Sequence, residues 1–64
     1  MIYQLTEFFH PYGLSGTAMR GIADYRKKLE AVEACKVHPC HAVVSIANTS
    51  EIVFDNGKPP RKAA

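Results

Sequence analysis

Four side chains able to bind a soft metal ion lie within one seven-residue segment of this 64-residue chain. They are Cys35, His38, Cys40 and His41. Zinc takes thiolate and imidazole ligands in a tetrahedron, and one short segment cannot easily surround the ion. Cys40 and His41 are also neighbours, so they would point to opposite faces of a strand. The spacing therefore predicts no complete metal site and no cofactor.

Three other interpretations of this segment are a partial metal site, a structural role and a catalytic pair. A partial metal site of Cys35, His38 and His10 is one alternative, and it would make the protein a zinc-stabilised module. The favoured interpretation is structural, because buried cysteine behaves as a small hydrophobe. Cys35 and Cys40 are then expected to fill a junction between helix and strand, with His38 in solvent. A catalytic Cys–His pair needs an activated thiol and a pocket, which so small a domain has little room for, and no enzymatic activity is expected.

Length and composition are those of one small folded domain. Apolar residues make up 47% of the chain and charged residues 22%, which is outside the range of disordered proteins. The net charge of +2 is too small to indicate a dedicated DNA-binding domain. No apolar run approaches the roughly 18–20 residues of a membrane span, and no basic region of a signal peptide opens the chain. A cytoplasmic protein without a membrane partner is expected.

Periodicity and turn signals predict three strands and one helix. The segment 2–9 (IYQLTEFF) is rich in aromatic and branched residues, as strands are. The segments 41–47 and 52–54 are predicted as the second and third strands, and Asp55-Asn56-Gly57 as a turn. The helix is predicted from five apolar residues at steps of four and three, which are Ala18, Ile22, Tyr25, Leu29 and Val32. Pro39 should end it at about Cys35 or Lys36.

These elements predict an α+β fold, a small two-layer sandwich in the order β-α-β-β. One amphipathic helix would pack on a three-stranded, mostly antiparallel sheet. The folded domain would span residues 1–57, and residues 58–64 (KPPRKAA) would form a flexible basic tail. Three alanines, Ala23, Ala31 and Ala34, would lie on the back of the helix. A small core and open sheet edges favour a homodimer.

A modest positive surface is the main candidate for binding a partner. The ordinary interpretation of its residues is a solvated helix face, and the functional one is a surface that engages nucleic acid or competes with it. Aromatic side chains near the first loop, Phe8, Phe9 and Tyr12, could add to an interface. The candidate partner-binding residues are Arg20, Arg26, Lys27, Lys28 and Tyr12.

A family resemblance suggests which partner. The segment CHAVVSIANTSEIVFDNGK, from Cys40 to Lys58, has the helix-then-hairpin pattern with a closing Gly-Lys turn of many short phage-encoded proteins. Together with the opening MIYQLTEFF, it makes the chain similar to small α+β anti-CRISPR proteins, notably inhibitors of type I surveillance complexes. The chain departs from that pattern in its longer predicted helix and in the loop HPYGLSG, where another strand is expected.

The resemblance implies a non-enzymatic inhibitor inside the host cell. Such an inhibitor docks on a protein subunit of the crRNA-guided complex and blocks target DNA binding or nuclease recruitment. Charged surface residues do this in the family, and here they would be Arg20, Arg26, Lys27 and Lys28. The alternative is a small nucleic-acid-binding accessory or regulatory protein, whose affinity would fall steeply with salt.

Overall fold

The structure is a computed structural model that describes residues 1–10 and 16–62. The described chain forms five strands and one helix: β1 (Tyr3–His10), β2 (Ala18–Tyr25), α1 (Lys28–Val37), β3 (Ala42–Ile46), β4 (Ile52–Asp55) and β5 (Arg61–Lys62). The strands β1, β3 and β4 begin and end within one residue or two of the predicted strands. These three strands were predicted from their aromatic and β-branched residues, which are the residue types that suit a half-buried sheet surface.

Four of the strands follow one another across the sheet in the order β2-β1-β3-β4, and each of these neighbouring pairs is antiparallel. β1 is therefore a central strand. β3 pairs with β1 only as far as Glu7, and β5 then pairs in parallel with Phe9 and His10 along the same side. The continuous pairing on both sides of β1 fixes the direction in which each of its side chains points.

The predicted β-α-β-β order and three-stranded sheet are wrong. The segment 18–25, predicted as the first half of the helix, forms β2 and pairs with β1. The cause of the error is a β-bulge: Thr6 lies opposite Gly21 and Leu5 opposite Ala23, so Ile22 is an extra residue. A bulge inserts one residue into the two-residue alternation of a strand. The resulting apolar spacing resembles that of a helix.

The helix is shorter than predicted and turns a different face to the sheet. It begins at Lys28, about ten residues later than predicted, and ends at Val37. Its buried residues are Ala31 and Cys35, whereas Leu29, predicted to face the sheet, is 71% exposed. Ala31, predicted for the back of the helix, thus lies on the face that packs against the sheet. Small side chains there let α1 lie close to the sheet.

The core lies between α1 and one face of the sheet. Its fully buried members are small or branched side chains: Leu5, Ala31, Cys35, Ala42 and Val44. Larger rings cover its margins, from Tyr3 and Tyr25 at one end to Phe54 at the other. Removal of this apolar surface from water stabilises the two-layer packing by about 25 cal/mol per Å².

Part of the segment expected as a flexible basic tail contacts the domain. The Lys58 ammonium donates hydrogen bonds to the carbonyl oxygens of Lys36 and His38, at the C-terminal end of α1. The amide of His41 donates to the carbonyl oxygen of Pro59 at 2.9 Å. A cation at a helix C-terminus is favourable because carbonyl groups there have no partner within the helix.

The helix of the described chain, with ten residues, is too short and too polar to cross a bilayer. The outer strands of the main sheet are β2 and β4. The homodimer expected from open sheet edges stays a prediction.

Candidate functional site

The four potential ligands between Cys35 and His41 do not come together as a group. The Cys35 thiol is buried and donates to the carbonyl oxygen of Ala42 at 3.2 Å. The His41 ring lies on the other side of the junction, 3.0 Å from the Asp55 carboxylate. It also stacks on Phe8, with ring centroids 4.7 Å apart. These two side chains therefore belong to separate local structures.

The partial metal site considered from the sequence is not assembled either. His10 Nδ1 lies 2.9 Å from the carbonyl oxygen of Gly16. Cys35 is in the core. His38, by contrast, is not in solvent but meets Cys40 at a third side chain, Glu7. The pair that the structure brings together is thus His38 and Cys40.

Glu7 is a buried carboxylate at the centre of a polar cluster. Its side chain is 2% exposed. The oxygen Oε2 accepts hydrogen bonds from Nε of Arg20, at 3.1 Å, and from the same guanidinium's Nη2. The oxygen Oε1 accepts from His38 Nε2 at 3.0 Å, Cys40 Sγ at 3.1 Å and Arg61 Nε at 3.2 Å. These five residues are called the Glu7 cluster below.

Each donor reaches Glu7 from a different part of the fold. Arg20 lies directly opposite Glu7 in the register of β2 on β1. His38 is the C-terminal cap of α1, where its amide donates to the carbonyl oxygen of Cys35. Cys40 precedes β3, and Arg61 begins β5. One buried carboxylate thus connects two strands, the end of the helix and the segment before β3.

The hydrogen bonds of the cluster keep Glu7 ionised. They lower the pKa of its carboxyl from 4.5 to about 2, chiefly through Arg20, with Cys40 and His38 adding and burial acting in the opposite direction. Burial raises the pKa of the Cys40 thiol, and its hydrogen bond to Glu7 acts in the same sense. Burial also raises the pKa of Cys35. Both thiols are therefore protonated at neutral pH and are poor nucleophiles.

A second polar residue, Asn56, fixes the junction that carries His38 and Cys40. Its side-chain amide donates to the carbonyl oxygens of Cys35, at 3.0 Å, and Cys40, at 2.9 Å. Its side-chain oxygen accepts from the amides of Ala42 and Lys58, both at 3.1 Å. The side-chain amide of Asn56 thus donates two hydrogen bonds and its oxygen accepts two, which satisfies this side chain in full. The end of α1 and the start of β3 are thereby held together.

The predicted partner-binding residues fall into two groups. Arg20 belongs to the Glu7 cluster, and its guanidinium also lies 5.7 Å from the centre of the Phe9 ring. Arg26, Lys27 and Lys28 are exposed and consecutive where β2 leads into α1. These three residues are called the basic patch below. Tyr12 lies outside the described residues.

Two functional candidates, Glu7 and Asn56, were missed from the sequence. A signal for Glu7 exists: in a strand over 2–9 it shares a face with Tyr3 and Leu5, which is the apolar face. A charged residue on an apolar face predicts a buried partner. For Asn56 the Asp-Asn-Gly pattern indicates only a turn.

Comparison of the chain with protein-family models, curated proteins and solved structures finds no match.

Proposed function

We propose that this chain is a non-enzymatic binding protein of the host-cell cytoplasm that docks on a protein partner through the basic patch. The observation that carries the proposal is the arrangement of Arg26, Lys27 and Lys28. All three are exposed, and none forms an ion pair within the part of the chain that the structure describes. Three uncompensated charges on consecutive residues attract an acidic surface.

The position of the basic patch strengthens its field. Lys27 is the N-cap of α1, and its side chain makes no capping hydrogen bond. The N-terminus of a helix carries about half a positive charge, which adds to those of the patch. Glu30, in the first turn, is the acidic residue that partly offsets it. The net effect is a compact positive region at one end of the helix.

The chemistry of Glu7 and of the two cysteines supports a role without catalysis. A nucleophilic cysteine needs a lowered pKa, and the pKa values of Cys35 and Cys40 are raised. A general acid or base needs a pKa near the working pH, whereas that of Glu7 is about 2. These groups are used for hydrogen bonds inside the domain.

The resemblance to anti-CRISPR proteins gives the partner that we propose, a protein subunit of a type I CRISPR effector complex. Such an inhibitor can block either target DNA binding or nuclease recruitment. The channel that holds nucleic acid in these effectors is positively charged. A basic patch would be repelled there, so blocking nuclease recruitment at an acidic protein surface is the favoured route.

A pull-down with purified type I effector complexes tests this function. The triple variant Arg26→Gln, Lys27→Gln, Lys28→Gln should bind at least about tenfold more weakly, chiefly through slower association. The matched control is Lys36→Gln, which removes one exposed positive charge at the opposite end of α1. Failure of every effector complex to retain the wild-type protein would refute the proposed partner. Equal affinities for the triple variant and the control would refute the role of the patch.

A gel shift with the same variants separates a protein partner from nucleic acid. If the three cations bound phosphates, the logarithm of the affinity would fall linearly with the logarithm of the salt concentration. The slope would be roughly 0.9 for each phosphate neutralised. A gel shift with duplex DNA at low salt should show no retardation by the wild-type protein. Retardation that is lost in the triple variant would replace the protein partner with nucleic acid.

A further inference from the structure

Three members of the Glu7 cluster offer the donor atoms of a transition-metal site. His38 Nε2, Cys40 Sγ and a carboxylate oxygen of Glu7 all lie within 4.8 Å of one another. Imidazole nitrogen, thiolate sulfur and carboxylate oxygen are the ligands that zinc takes in proteins. They also come from two separate segments, β1 and the loop between α1 and β3. The compact spacing that argued against a site of Cys35, His38, Cys40 and His41 does not apply to this set.

We propose that Glu7 Oε1, His38 Nε2 and Cys40 Sγ form a three-ligand site for Zn²⁺, with water as the fourth ligand. The measured separations from Oε1 are 3.0 Å to the nitrogen and 3.1 Å to the sulfur. Ligand atoms of a tetrahedral zinc ion, at bond lengths of about 2.0–2.3 Å, are roughly 3.3–3.8 Å apart. The two separations from Oε1 therefore need to grow by only a few tenths of an ångström, and the nitrogen and the sulfur, which lie within 4.8 Å of each other, must come to the same range.

Neighbouring side chains restrain the carboxylate and the backbone that carry the three ligands. Arg20 occupies Oε2 of Glu7, which leaves Oε1 to the other donors. The backbone of Cys40 is held by Asn56, and that of His38 by Lys58. Hydrogen bonds to the groups behind the ligands are what orient metal sites in proteins. His38 is 15% exposed, so this side of the cluster is open to an entering ion and to a water ligand.

To bind, zinc must replace the hydrogen atoms that His38 and Cys40 donate to Glu7, and it must displace the Arg61 guanidinium. The balanced exchange is Zn²⁺ plus the Cys40 thiol giving a zinc–sulfur bond and one released proton. The hydrogen that His38 Nε2 donates to Glu7 must be transferred through solvent to Nδ1, so that the Nε2 lone pair faces the ion. Arg61 must leave Oε1, which is feasible because its side chain is 50% exposed and belongs to a two-residue strand. The carboxylate and the thiolate then supply two negative charges beside the ion, while the Arg20 guanidinium stays on Oε2.

The test uses the full chain, reduced and freed of metal with a chelator, titrated with Zn²⁺ and separately with Co²⁺. One ion should bind per chain. Cobalt should show the thiolate-to-metal charge-transfer absorption and the intense visible bands of tetrahedral coordination. Cys40→Ser and His38→Gln should each weaken binding by at least about 100-fold, because loss of an outer partner alone costs about 10–100-fold.

Matched controls use a cysteine and a histidine that lie outside the site. Cys35→Ala and His41→Gln should keep the affinity within about twofold and leave the cobalt spectrum unchanged, as expected for independent positions. Arg61→Gln removes the cation that competes for Oε1 and should raise the affinity by about tenfold. A cluster that serves only as a hydrogen-bond network would show no such gain.

Several outcomes would overturn the site. These are no binding of either ion at stoichiometric concentration, a cobalt spectrum without the thiolate band, or loss of that band in Cys35→Ala in place of Cys40→Ser. If circular dichroism shows that Cys40→Ser does not fold, the opposite effects expected for His38→Gln and Arg61→Gln decide the question. The basic patch is not part of this site, so the result is independent of the proposed partner.

Discussion

Glu7 is a charged side chain on the face of β1 that otherwise packs against the helix. A buried carboxylate is costly unless hydrogen bonds replace its hydration. Here it has donors on both oxygens, and two of the donors are the guanidinium groups of Arg20 and Arg61. The side chains of both arginines remain half or more exposed, so the positive charges keep much of their hydration. The arrangement therefore avoids much of the cost of a fully buried ion pair.

Replacement of this carboxylate should destabilise the fold measurably. Glu7→Gln removes the charge that four donors share, and hydrogen bonds to charged groups contribute about 1.5–3 kcal/mol. We expect the free energy of unfolding at pH 7 to fall by that amount in urea denaturation, with chelator present. The difference from wild type should also depend on pH. Because the pKa is about 2 in the folded protein against 4.5 ordinarily, the stabilisation is complete above 4.5. It should be lost as pH falls towards 2.

The matched control is Glu33→Gln. Glu33 is 60% exposed and its ion pair with Lys36 is 3.6 Å long. Exposed pairs of this kind contribute about 0–1 kcal/mol. Equal effects of the two substitutions, or a difference from wild type that grows as the solution is acidified, would contradict the role assigned to Glu7.

Prediction at the residue scale failed for contacts between segments. The sequence drew attention to His38 and Cys40 as two of four potential ligands, but it placed His38 in solvent and did not pair the two. It could not pair them with Glu7, which lies 31 residues before His38. That contact depends on the register of β1 and on where α1 ends, and neither is set by local spacing. The same is true of Arg20, whose partner is fixed by the pairing of β2.

At the scale of elements, the segment 18–25 shows why periodicity alone misled. The residues of β2 opposite the inward residues of β1 are Ala18, Arg20, Ala23 and Tyr25. The bulge at Ile22 puts Ala18 and Tyr25, seven positions apart, on the same face of β2. Seven residues are about two turns of a helix, so these two fit the helical period that the apolar residues of α1 continue. The strands β3 and β4 were predicted closely although their pairing is also irregular, between Val44 and Ser45.

The junction between α1 and β3 depends on Asn56, and an isosteric change tests it. Asn56→Asp replaces two donated hydrogen bonds with a carboxylate facing the carbonyl oxygens of Cys35 and Cys40. We expect the free energy of unfolding to fall by about 2–3 kcal/mol at pH 7, since unpaired buried groups each cost about 1–3 kcal/mol. Thermal unfolding followed by circular dichroism measures it.

Asn48→Asp provides the comparison for this junction. Asn48 is exposed after β3 and has a positive φ of 65°, a conformation that Asp also adopts. Its substitution should change stability by less than about 0.5 kcal/mol. A loss as large as that of Asn56→Asp would mean that the charge introduced, and not the junction, is responsible.

For the molecule as a whole, both ends of the described chain meet at one carboxylate. Glu7 lies near the start of the sequence, and Arg61, 54 residues later, bonds to it from β5. A 64-residue domain buries only about 60% of the surface of its unfolded chain, so each long-range contact is a large part of its stability. The segment 58–64 therefore has two interpretations, a part of the domain that stabilises the sheet or a flexible basic tail.

Truncation distinguishes these two interpretations. Removal of residues 61–64 deletes β5, its pairing with Phe9 and His10, and the Arg61 hydrogen bond to Glu7. We expect a loss of about 1–3 kcal/mol in the free energy of unfolding, measured with urea. A second truncation, of residues 63–64 only, keeps β5 and is the matched control, which should lose less. Equal stabilities of the two shortened chains would show that β5 adds nothing and that residues 58–64 behave as a flexible basic tail. A larger loss for the first, reproduced in part by Arg61→Gln in the full chain, would assign the difference to the closure of the sheet around Glu7.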